Sequence, residues 1–216
     1  MPVLDHGATV LFIGDSITDA GRARTGSDYN HTMGQGYAFI ISATLGNQLA
    51  ERDLTFINRG ISGNRVGDLR KRWQADVLDL KPDVLSILVG VNDTLAKDAG
   101  SAEEFERIYD ELLHDTLAAL PKVRIVLGEP FLLPVGKIKD GYVASFAELK
   151  KRQDAVARLA AKYQLPFIRY QAAFDEACAR APADHWSWDG VHPHYAGHAL
   201  MADAWLRTVA ALRPTD

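Results

Sequence analysis

The chain has almost no cysteine. Cys178 stands alone among 216 residues, so no intramolecular disulfide can form, and a small apolar residue on a helix accounts for it. Long apolar runs are also missing. The first residues, MPVLDHGATVLF, contain no basic segment leading into an apolar one. Neither a secretory leader nor a membrane span is expected, and the cytoplasm is the default location. No basic block occurs, and the net charge of −4 comes from interspersed charges of both signs, which argues against a nucleic-acid groove. Neither G-x-x-x-x-G-K-[ST] nor G-x-G-x-x-G follows the first apolar run, so a nucleotide-binding module has no support. Repeats, low-complexity tracts and interdomain linkers are lacking too. What remains is 47% hydrophobic and 24% charged. That balance suits one soluble domain over 1–216, large enough for a core without covalent staples.

What is present is organised around Thr9–Ser16, TVLFIGDS. Val10, Leu11, Phe12 and Ile13 suit a strand buried on both faces, as in a parallel sheet. Gly14 permits a sharp turn, and Asp15 and Ser16 follow where open α/β sheets place their ligands. Taken alone, Ser16 reads equally as a nucleophile or as a helix cap. Further strands are expected at Thr55–Asn58, Val84–Val89, Val123–Leu127 and Pro166–Ile168. Helices are expected at Tyr37–Leu49, Arg65–Leu80, Ala102–Leu120 (with Ser101 as N-cap), Phe146–Tyr163, Gln171–Ala181 and about Tyr195–Leu212. Ile17–Gly36 has no apolar period and reads as a long polar loop, a pocket wall or a surface excursion. Strands alternating with helices predict a five-stranded parallel sheet covered on both faces.

Three strands end alike, at Gly14-Asp15-Ser16, Gly60-Ile61-Ser62-Gly63-Asn64 and Gly90-Val91-Asn92-Asp93. In a parallel sheet these ends share one edge, so distant residues meet. A fourth segment, Trp188-Asp189-Gly190-Val191-His192-Pro193, precedes the last helix. There an aspartate can hold the imidazole Nδ1–H of His192, leaving Nε2 to take a serine proton. A serine hydroxyl needs such a base to be an effective nucleophile.

These four segments resemble the four sequence blocks of the SGNH hydrolases, the GDSL esterase/lipase superfamily. Gly14-Asp15-Ser16, Gly63, Gly90-x-Asn92-Asp93 and Asp189-x-x-His192 match in order across nearly the whole chain, with Ile17 where the eponymous pattern has leucine. The resemblance implies a three-layer α/β/α sandwich of flavodoxin-like type. It implies Ser16 as nucleophile, His192 as general base and acid, and Asp189 as the orienting carboxylate. The Ser16 and Gly63 N–H groups and the Asn92 amide are implied as the oxyanion hole, with no metal or organic cofactor. Fixed donors suit the charge of a tetrahedral intermediate, and loss of one typically costs about 3–4 kcal/mol. The stretches LFIGDSITDAGRAR, NRGISGNRVGDLRKRW, SILVGVND, QAAFD and WDGVHPHYAGH are similar to intracellular bacterial acetylxylan esterases. That similarity implies acetylated xylo-oligosaccharides as small-molecule substrates and a homo-oligomer. A broad short-chain carboxylesterase, arylesterase or thioesterase is the alternative.

Asp15, Tyr37, Asn64, Arg65, Trp186 and Trp188 are the candidates for substrate contact. The two tryptophans can stack on a pyranose ring or pack in the core. Asp15 suits bracing of the turn as well. His192, His194 and His198 form H-x-H-x₃-H, a rival metal pattern. His192 precedes the helix that would carry the other two, which weighs against it.

Overall fold

The structure is a computed structural model that describes residues 4–26 and 28–210. The five expected strands form β1 (Thr9–Gly14), β2 (Thr55–Asn58), β3 (Val84–Leu88), β4 (Arg124–Gly128) and β5 (Phe167–Ile168). Every pairing is parallel, in the order β2-β1-β3-β4-β5. That is the flavodoxin-like order, and the layered α/β architecture is as expected.

Alternation along the strands makes both faces apolar. Val10 and Phe12 point into one core with Val84, Leu88 and Val126. Leu11 and Ile13 point into the other with Leu85, Ile87, Ile125 and Leu127. Successive strand side chains face opposite ways, so a continuous apolar run serves two cores at once.

Ten α-helices lie among the described residues. They are α1 (Ser16–Asp19), α2 (Tyr29–Met33), α3 (Tyr37–Gln48), α4 (Val66–Trp73), α5 (Asn92–Leu95), α6 (Ala102–Ala119), α7 (Tyr142–Lys162), α8 (Tyr170–Cys178), α9 (Ala183–Trp186) and α10 (Tyr195–Ala210). Helices α3, α8 and α10 cover the Phe12 face. Helices α4, α6 and α7 cover the Leu11 face. Phe12 meets the rings of Tyr37 and Trp205, at centroid distances of 5.9 and 5.6 Å. The Trp205 indole donates to Ser86 Oγ at 3.0 Å, which satisfies the polar side chain on that face of β3.

Several boundaries differ from the sequence expectation. The stretch 17–36 is not one irregular loop, because α1 and α2 lie in it. Their starts are set by Asp15 and Asp28, whose side chains accept N–H groups of the first turn. Helix α7 begins at Tyr142, not Phe146. A short 3₁₀ segment, Gly136–Gly141, leads into it, and Tyr142 stacks on Phe146 one turn later, at 5.3 Å. Helix α4 continues into a π-helical turn over Gln74–Leu78. Ser101 does cap α6, accepting from the Glu104 N–H. The expected end of the last helix, Leu212, lies outside the described residues.

Candidate active site

Three strand ends reach the same edge in register, with Gly14 opposite Leu88 and Leu88 opposite Gly128. Just beyond Gly14, Asp15 caps α1 through a bond from the Ile17 N–H to its Oδ1, at 3.0 Å. The capping role therefore belongs to Asp15. The Ser16 hydroxyl is left for another partner, and Ser16 Oγ lies 2.8 Å from His192 Nε2.

His192 comes from the loop before α10, which is tied internally. Ser187 Oγ donates to the His192 carbonyl at 2.8 Å and accepts the Gly190 N–H at 3.0 Å. Asp189 is buried, and both its oxygens are occupied. Oδ1 accepts the Val191 and His192 N–H groups at 2.9 and 2.8 Å. Oδ2 lies 2.8 Å from His192 Nδ1 and 2.8 Å from Lys137 Nζ. Burial pushes the Asp189 carboxyl up. The His192 N–H, Lys137, the His192 ring and the Val191 N–H outweigh it and hold the group well below the usual carboxylate range. An ionised Asp189 assigns the proton to Nδ1, so Nε2 faces the serine as an acceptor.

The donors expected to serve an oxyanion lie on the turns that follow β1, β2 and β3. The N–H groups of Ser16 and Gly63 have no acceptor among the described residues. Gly63 has φ +83°, a conformation that other residues rarely adopt. Asn92 donates one amide hydrogen to the Asn64 carbonyl at 3.1 Å and has a second to offer. Next to it, Asp93 accepts the Val66 N–H, fastening the Gly90–Asp93 turn to the start of α4.

Residues that the motifs did not single out hold these turns together. Asp19 Oδ2 accepts both the N–H and the hydroxyl of Ser62, at 2.9 and 3.1 Å. Asn58 donates to the carbonyls of Thr18 and Met33 and accepts the Gly60 N–H. Arg72 reaches the Gly14 and Arg59 carbonyls and Asn64 Oδ1. No spacing rule marks these side chains. Their roles exist only once β1, β2 and α4 have met.

The candidates for substrate contact separate. Trp186 is 7% exposed; its indole donates to the Ala181 carbonyl, and it packs in the core. Tyr37 is buried too, bonded to Thr18 Oγ1 at 2.9 Å, and burial pushes its phenol far up. Asp15 is enclosed, with Oδ2 unpartnered among the described residues; burial, then Asp93, raise its carboxyl to about 7. All three are buried. Asn64 gives its side chain to Arg72. Arg65 turns to Asp98, at 3.2 Å, beside a cavity of about 210 Å³ that neither Ser16 nor His192 lines. Trp188 differs. It is 59% exposed and lies nearly parallel to the His192 ring, at 5.6 Å and 15°. In the rival metal pattern, His192 is engaged as above. His198 Nδ1 accepts the Tyr37 N–H at 3.1 Å.

A parallel α/β sheet carrying a serine, an imidazole and a carboxylate in hydrogen-bonded sequence at its carboxyl edge is the layout of a carboxylic ester hydrolase, and the known relatives agree. The chain belongs to the GDSL-like lipase/acylhydrolase family, whose model matches residues 12–200. It is 35% identical to an acetylxylan esterase of Geobacillus stearothermophilus, over 95% of each chain. The crystal structure of that enzyme, Axe2, superposes with a TM-score of 0.84, covering 96% of each chain at 33% identity. Solved variants of Axe2 named catalytic mutants replace one serine, one aspartate and one histidine by alanine. A GDSL-like protein from Parabacteroides merdae gives a TM-score of 0.91 at 38% identity, over 96% of this chain and 97% of that one. An alpha/beta hydrolase from the Lake Arreo metagenome gives 0.85 at 32%, over 98% and 99%. No described helix is long and apolar enough to cross a membrane.

Proposed function

We propose that this chain removes acetyl groups from xylo-oligosaccharides by acyl transfer through Ser16, His192 and Asp189. The observation that carries the chemistry is the unbroken chain from Ser16 Oγ to His192 Nε2, and from His192 Nδ1 to Asp189 Oδ2, each link 2.8 Å. Ser16 Oγ attacks the acetyl carbonyl as its proton passes to His192 Nε2, and Asp189 steadies the imidazolium. The Ser16 and Gly63 N–H groups and the Asn92 amide receive the negative oxygen. The sugar oxygen leaves with the proton from His192. Water then attacks the acetyl-serine, gives a proton to His192, and acetate departs as Ser16 regains its hydrogen.

The likeness to an acetylxylan esterase over nearly the full chain supports the sugar acetate as substrate. So does Trp188, an open aromatic face beside the imidazole, suited to stacking on a pyranose ring. Under this reading the enzyme is one unit over 1–216, working in the cytoplasm as a homo-oligomer; its mass in solution by light scattering checks the assembly. The deciding experiment compares acetate release from acetylated xylo-oligosaccharides with hydrolysis of simple acyl esters of rising chain length, with Ser16→Ala as the blank. Efficient turnover of the sugar acetate and a steep fall beyond acetyl are expected. Equal turnover of longer acyl esters, with no advantage for the sugar, would make it a broad carboxylesterase instead.

A further inference from the structure

We propose that Lys137 is a positioning residue of this site, which sets the pH at which His192 becomes a free base by sharing the Asp189 carboxylate with it. The proposal rests on the reading of His192 as the general base.

The observation is a competition for one oxygen. Asp189 Oδ2 receives His192 Nδ1 and Lys137 Nζ, each at 2.8 Å, while Oδ1 is filled by two backbone N–H groups. A protonated imidazole would therefore share its counter-charge with an ammonium. Like charges this close disfavour the second cation. The Lys137 charge thus keeps the imidazole neutral, and able to accept the serine proton, to lower pH than Asp189 alone would allow.

The lysine's place is built into the fold. Lys137 lies on the 3₁₀ segment Gly136–Gly141, which is pressed against the histidine loop. Gly136 has φ +52°, and a Cβ there would stand 2.5 Å from the Asp189 Cα. The Leu133 N–H bonds the Gly190 carbonyl at 2.9 Å. The two segments are in direct contact, so the lysine stem starts beside the carboxylate. Its side chain is nevertheless 56% exposed, which leaves its charge open to salt. Three other groups meet or act on His192: the Trp188 ring, Ser16 and His198. Ser16 from α1 is uncharged. His198 from α10 is depressed by burial and by His192 to about 4, so it stays neutral over the working range. Asp189 is ionised throughout. Lys137 is the cation among them.

The test uses Lys137→Met, which keeps the stem and removes the charge, and Lys137→Arg, which keeps the charge. Two readouts are taken on the folded protein: the acid limb of the pH–rate profile on an acetyl ester, and the titration of the His192 Cε1–H signal, assigned with His192→Ala. At low salt, K137M should move both midpoints up by about half a unit to one unit, the size a single charge nearby produces in a solvated site. K137R should stay near the parent. Added salt should draw the parent toward K137M and leave K137M in place. Coincident midpoints for parent and K137M, or an equal rise in K137R, would overturn the proposal. The NMR titration reads the lysine whether or not turnover occurs, whereas full turnover in His192→Ala would sink the base reading itself. If K137M does not fold, Lys137→Gln answers the same question.

Discussion

At the residue scale, the proposed mechanism divides the site into atoms that react and atoms that receive charge. Ser16→Ala removes the attacking oxygen, and kcat on an acetyl ester should fall by about 10⁴-fold or more. Asn92→Ala leaves the serine, histidine and aspartate intact. It should lower kcat by about 10²–10³-fold with a smaller change in KM, since on the proposed mechanism its amide serves a charge that exists only in the transition state. Steady-state rates at several substrate concentrations separate the two; a loss for Asn92→Ala seen only in KM would remove it from that role. The hydrogen-bonded set Ser16, His192 and Asp189 was legible as letters, because a serine after the first strand and an Asp-x-x-His ahead of the last helix are the residue types such chemistry needs. Lys137, Asp19 and Asn58 were not. Nothing in a lysine after a glycine announces that it will land on a carboxylate 52 residues later in the chain. Trp186 and Trp188 show the converse. Two residues apart, they are alike as letters, and only packing sends one to the core and the other to solvent.

At the scale of elements, the parallel sheet supplies proximity and short side-chain bridges supply alignment. Asp19, on the helix that starts with Ser16, holds Ser62 by two bonds, and so sets the Gly63 turn against the nucleophile turn. Asp19→Ala should release that turn. We expect kcat to fall by about tenfold or more, with substrate affinity far less affected, because misplacement by 1 Å is felt chiefly in the transition state. Stopped-flow and steady-state measurements on an acetyl ester check this; an unchanged kcat would mean that Asn58 and Arg72 suffice. The strands were readable from their apolar runs, and the major helices from their spacing. The short helices α1 and α2 escaped because they present no apolar stripe long enough to have a period. They exist through aspartate caps and through Ile17, Thr18, Asp19 and Met33 being drawn into the interior.

At the scale of the whole molecule, buried acids give stability a dependence on pH. Burial raises Asp15 to about 7 and Asp93 to about 6, against an ordinary value near 4. Between those limits the fold holds protons that the unfolded chain has released. Their contribution is complete below about pH 4 and is lost as pH rises through the raised values. Asp189 acts oppositely, since its lowered value stabilises the fold above the ordinary carboxylate range and is lost in acid. His198, lowered to about 4, also favours the fold as pH rises toward the ordinary histidine value. A difference isolates one group. Asp15→Asn keeps an oxygen for the Ile17 N–H and cannot ionise. Its Tm minus that of the parent should grow more positive from pH 5 to 8 and then level off, as read by calorimetry. A flat difference would mean that Asp15 is ionised in the fold throughout. The parallel sheet between helix layers was predictable from the alternation of elements, and its flavodoxin-like type from the family resemblance, whereas the burial of the acid behind Ser16 was visible only after folding.

The last helix has a consequence of its own. His198 on α10 receives the Tyr37 N–H, Trp205 reaches Ser86, and the imidazole that meets Ser16 hangs from the loop just ahead of them. The reacting pair is thus completed by the rearmost segment of the polypeptide, closing over the foremost. Hydrolysis is consequently a gauge of whether the tail has seated. Gentle warming or mild denaturant that loosens only the tail would extinguish turnover while the sheet still stands.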